Sequence, residues 1–73
     1  MGKLVRRTID GDTVVAQWSP DDAGSLSSAV EAMRREQGNG YMAVRWSSDA
    51  NEPVEELDPQ ADLIVLTMPM GGG

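Results

Sequence analysis

The run Leu63-Ile64-Val65-Leu66 is the most apolar stretch of this chain, and it constrains the fold more than any other feature. Four consecutive large aliphatic residues leave no polar face, so a strand built from them belongs in the middle of a sheet, covered on both sides. Pro69 closes the run, because proline offers no backbone N–H to a ladder. A chain of 73 residues has room for one domain with one compact core. Every other element must therefore be arranged around that strand.

Upstream, Lys3 to Ile9 reads as a strand, Asp10-Gly11-Asp12 as a turn, and Thr13 to Trp18 as a second, β-branched strand. Together they predict a β-hairpin, with the Asp-Gly pair suited to a type I′ turn. Alternation places Val14, Ala16 and Trp18 on one face of the second strand and Val15 and Gln17 on the other. Ser19-Pro20-Asp21-Asp22 carries helix-start chemistry, with Ser19 or Asp22 as the cap and Pro20 suited to the first turn. A helix follows over 22–37, with Ala23, Leu26, Val30 and Met33 as its apolar stripe and Gly38-Asn39-Gly40 as a left-handed stop. Tyr41 to Trp46 is a third strand, with Met42, Val44 and Trp46 on one face and Tyr41, Ala43 and Arg45 on the other. Ser47 to Gln60 is a polar connection with a short strand or turn near Val54, and the final strand occupies Ala61 to Met68.

The chain has neither cysteine nor histidine, so disulfides, thiolate metal sites and the usual general base near neutral pH are missing. Together with the small size, this predicts that the protein is not itself an enzyme and holds no cofactor. Charge is unevenly spread. Residues 1–46 hold all six basic residues and six acids, whereas residues 47–73 hold six acids (Asp49, Glu52, Glu55, Glu56, Asp58, Asp62) and no base. Such a surface repels phosphate backbones, which argues against a nucleic-acid partner, and attracts a basic protein. No apolar run approaches the ~18 residues of a membrane span, and Met1-Gly2-Lys3-Leu4 lacks a signal peptide's apolar stretch, so a cytoplasmic location is expected with no membrane partner. Arg6, Arg7 and Arg45 are read as neighbours on the open face of the sheet, and Trp18 and Trp46 as core or core-edge residues.

The order hairpin, helix, strand, acidic connection, buried last strand resembles the ubiquitin-like β-grasp fold, an α+β class in which a mixed sheet has its C-terminal strand at the centre. The stretch from Leu57 to Gly72 is similar, more specifically, to the closing segment of the bacterial sulfur-carrier proteins of thiamin and molybdopterin synthesis. Asp62 matches their turn aspartate, Leu63 to Leu66 the strand, and Pro69 the proline before the diglycine. Ala61 stands where those proteins have glycine, and the chain ends in three glycines rather than two, which leaves Gly73 or a processed Gly72 as the reactive terminus.

The resemblance implies a β-grasp domain over 1–69 and a flexible Gly-rich tail over 70–73. The terminal glycine would be adenylated by an ATP-using activating enzyme, then thiocarboxylated by a sulfurtransferase or joined to a conjugation target. Glycine suits a tail that must thread a narrow active site, since it has no side chain to clash there. On this reading Gly71, Gly72 and Gly73 carry the chemistry, while Glu55, Glu56, Asp58, Pro69 and Met70 meet the partner. The alternative is a β-grasp protein-binding module or small accessory subunit, such as a phage-derived one, with an inert tail.

Overall fold

The computed structural model describes residues 1–68, and the segment from Pro69 to Gly73 lies outside the described residues. Five strands and one helix follow in the order β1 (Gly2–Thr8), β2 (Gly11–Trp18), α1 (Ala23–Gly38), β3 (Met42–Trp46), β4 (Asn51–Val54) and β5 (Leu63–Thr67). The strands form one sheet in the spatial order β2-β1-β5-β3-β4. β5 lies at its centre, parallel to β1 and antiparallel to β3. This is an α+β, β-grasp-like arrangement. The aliphatic run explains β5's position, since Ile64, Val65 and Leu66 are all buried.

The hairpin turn lies one residue earlier than the Asp-Gly pair suggests. Thr8 pairs with Gly11, so Ile9 and Asp10 are the central residues, and no non-glycine residue has a positive φ among the described residues. A type I′ turn would need left-handed residues at both central positions. Instead Gly11, at φ +125°, absorbs the left-handed step where β2 begins. Thr8 ties the turn: its hydroxyl donates to the Gly11 carbonyl at 3.0 Å and accepts from the Asp10 N–H at 3.3 Å.

A bulge corrects the facing of β2. Leu4 pairs with Ala16 while its neighbour Val5 pairs with Val14, which leaves Val15 as the extra residue. The period of two is broken there: Val15 and Ala16 both pack against the core, and Val14 turns outward, 48% exposed.

In α1, Asp22 is the cap, its carboxylate accepting from Gly24 N–H at 3.0 Å and Ser25 N–H at 3.3 Å. Pro20 therefore precedes the helix, inside the turn closed by Asp22 N–H on the Ser19 carbonyl at 3.0 Å. At the other end Tyr41 N–H bonds the Glu36 carbonyl and Gly40 N–H the Gln37 carbonyl, with Gly40 at φ +100°. That double bond pattern is a Schellman stop. The buried residues of the helix are Ala29, Met33 and Glu36, with Leu26 partly buried, so the stripe is rotated from the expected one and Ala23 is exposed.

The core lies between α1 and one face of the sheet. Leu4, Trp18, Ala29, Met33, Ala43, Ala61, Ile64 and Leu66 form it. Trp18 is the largest of these, 1% exposed, and its indole N–H donates to the Pro59 carbonyl at 3.2 Å, pinning the β4–β5 connection onto the hairpin.

Candidate functional site

Strand register decides which residues share the face turned away from the helix. Val14, Val5, Val65, Val44 and Pro53 are successive cross-strand partners, so one apolar row crosses all five strands. Trp46 and Leu63 form the neighbouring pair on one flank of this row and Met42 and Thr67 on the other. Val14, Met42 and Trp46 are exposed there, and Met68, just beyond β5, is exposed too.

Val5 and Val65 are nonetheless buried, although neither belongs to the helix-side core. Across Val65 two long side chains meet. Arg7, on the same face of β1 as Val5, places its guanidinium 5.3 Å from the centre of the Trp46 ring on β3, so the contact reaches across β5. Arg7 Nε also donates to Asp12 at 3.2 Å.

The three arginines expected to be neighbours on the open face are separated. Only Arg7 is on the open face. Arg6 is in register with Leu66, on the helix side, and pairs with the buried Glu36 at 3.3 Å. Arg45 is in register with Ile64, also on the helix side, where it binds Asp58 at 2.7 Å and Glu52 at 3.0 Å. Glu36 was hidden in the sequence because its spacing from Met33 puts a charge on the buried stripe. Only the strand register shows that Arg6 answers it.

Of the residues expected to meet a partner, Glu55 and Glu56 are exposed on the connection after β4, without an ion pair among the described residues. Asp58 has a structural task instead. Its carboxylate accepts from the Gln60 N–H at 2.9 Å and from Arg45, which hold it below the ordinary aspartate range, the backbone bond having the larger effect. Because the folded state holds this carboxylate ionised more strongly than the unfolded chain does, its stabilisation is present above the ordinary aspartate range. It is lost as pH falls through the folded value. Asp58→Asn is therefore expected to flatten the acid limb of a urea-midpoint-against-pH curve while leaving the neutral limb's slope unchanged. Pro69, Met70, Gly71, Gly72 and Gly73 lie outside the described residues.

No group of metal-ligating side chains occurs among the described residues, and no helix there is long and apolar enough to cross a membrane. No family model, curated protein or solved structure matches the chain.

Proposed function

We propose that this protein is a ubiquitin-like carrier or modifier whose C-terminal glycine is activated by a partner enzyme. The observation that supports the reading is topological: β5, the strand from which Pro69-Met70-Gly71-Gly72-Gly73 continues, is the central strand, and its last residue Thr67 is paired with Met42 beside the exposed apolar face. A partner seated on Val44, Met42 and Trp46 would thus have the chain's terminus within reach of its own active site.

The chemistry is the partner's. A carboxylate is a poor electrophile, so the terminal glycine attacks the α-phosphorus of ATP and displaces pyrophosphate, giving an acyl adenylate. The persulfide of a sulfurtransferase attacks that carbonyl as AMP leaves, and a thiol then cleaves the resulting acyl disulfide to release the thiocarboxylate; in the conjugation route a target amine attacks the carbonyl and AMP leaves. Among the described residues nothing is required of this domain but recognition.

The test is intact-mass analysis of the chain recovered from its native cells, with and without Gly71 to Gly73. A thiocarboxylate mass, or attachment to lysines of other proteins, is expected for the full chain and complete loss of both for the truncated one. Partner capture that survives truncation, with an unmodified full-length chain, would favour the binding module with an inert tail instead.

A further inference from the structure

Two hollows lie along the side of the molecule opposite the β1–β2 hairpin, between the C-terminal half of α1 and the segment that runs through and beyond β4. The first, about 240 Å³, is floored by Val30, Met33 and Leu57 and walled by Arg34 on one side and Glu55 and Glu56 on the other. The second, about 580 Å³, is lined by Tyr41, Met42, Pro53 and Val54. Both include Gln37 and Glu55. The partition between them is one exposed hydrogen bond, Gln37 Nε2–H to the Glu55 carbonyl at 3.0 Å. The two hollows therefore adjoin at this bond as one trough lined by both apolar and polar side chains.

We infer that this trough is a docking site for a short, extended peptide segment of a partner protein in which apolar side chains alternate with lysine or arginine. Two adjoining hollows suit two apolar side chains of one extended segment, whose alternate residues point to the same side. Charge selects the rest. Glu55 and Glu56 form the outer wall with no cation paired to them among the described residues, and residues 47–73 carry six acids and no base. Arg34 stands alone on the helix wall, so the trough is polarised across its width and orients a segment that puts its cations toward the connection after β4. The segment Pro69 to Gly73 does not meet this description, for it carries no cation. This site meets the open sheet face at Met42 and Pro53, extends away from it toward the helix, and does not depend on the tail chemistry.

The experiment titrates the isotopically labelled full-length protein with three synthetic peptides: one alternating leucine and arginine, one alternating leucine and glutamate, and one alternating serine and arginine. Amide shift changes at Val30, Gln37, Tyr41, Glu55, Glu56 and Leu57 are expected with the first peptide alone. Its binding should weaken with added salt. Glu55→Gln with Glu56→Gln, two exposed positions that leave the fold intact, should weaken it about three- to tenfold. Equal binding of the leucine–glutamate peptide, shifts confined to Val14, Val44 and Trp46, or no shift at millimolar leucine–arginine peptide would each overturn the assignment. Loss of the response in a chain lacking Gly71 to Gly73 would overturn it as well, while leaving the carrier reading untouched.

Discussion

Replacing Trp18 with alanine is expected to cost about 4 kcal/mol, close to the whole stability of a domain this small. The indole is fully enclosed, it is the largest side chain in the core, and its N–H holds the Pro59 carbonyl. Removal therefore leaves both a cavity and a carbonyl without its donor. The size of the effect is tied to Gly2, the register partner of Trp18. A Cβ at Gly2 would enter the indole itself, 2.6 Å from Nε1 and nearer still to two ring carbons. Gly2→Ala should accordingly cost about 3 kcal/mol in the native protein, at the upper end for overpacking. In a Trp18→Leu background, where the ring is gone but enough stability remains to measure, the same change should cost less than about 1 kcal/mol. Urea unfolding followed by far-ultraviolet circular dichroism gives all four corners of this cycle. Equal costs of Gly2→Ala in both backgrounds would show that the glycine serves backbone conformation and not the ring.

That coupling could not be read from the sequence, and the reason is general to the elements that went astray. Local chemistry announces local structure: Asp22 as a cap, Gly40 as a left-handed stop, the β-branched hairpin strands and the aliphatic last strand were all legible, because propensity and pattern act within a few residues. Register is a long-range property. The bulge at Val15 adds one residue to β2, and that single insertion sends Val14 outward and leaves Val15 on the core side. The hairpin turn moved for a related reason, since Gly11 is the one residue there able to take a positive φ and it sits where Thr8 needs a partner. Gly2 beside Trp18 joins the same class: sixteen positions apart in sequence, face to face in the sheet.

The candidate surfaces were legible to a similar depth. Composition shows that acids crowd the second half of the chain, and Glu55 and Glu56 are indeed exposed. It does not show that Asp58, one turn further on, is committed to Arg45, nor that Arg6 is drawn through the sheet's helix side to Glu36. Once those pairs are removed from the tally, the open face retains Lys3 and Arg7 as its cations, with Asp12 beside Arg7, around an apolar row. The edge beyond β4 retains the unpaired acids. A molecule polarised in this way presents two chemically different faces to partners. The sequence total of −6 describes neither of them.

Ile64→Ala and Val65→Ala make the difference between the two faces of the sheet measurable. The residues are adjacent in β5 and their exposures are 0% and 1%, so burial alone predicts similar costs scaled only by size. Their surroundings differ. Ile64 belongs to the helix-side core among Leu4, Met33 and Leu66, where packed neighbours cannot collapse into a void, and its truncation should cost about 3–4 kcal/mol. Val65 is covered on the open face by the Arg7–Trp46 contact, whose long side chains can settle inward or admit water. Loss of two methyl groups there should cost only about 1.6 kcal/mol, the transfer contribution without a cavity contribution. Val65→Thr should cost about 1 kcal/mol or less, since a hydroxyl placed beneath a displaceable cover can reach water, whereas a hydroxyl at position 64 could not. Midpoints of urea unfolding for the three variants settle the ordering. Should Val65→Ala prove as costly as Ile64→Ala, the open face would be as rigidly packed as the core, and a partner could not lift Arg7 from Trp46 at the modest cost of an exposed cation–π contact.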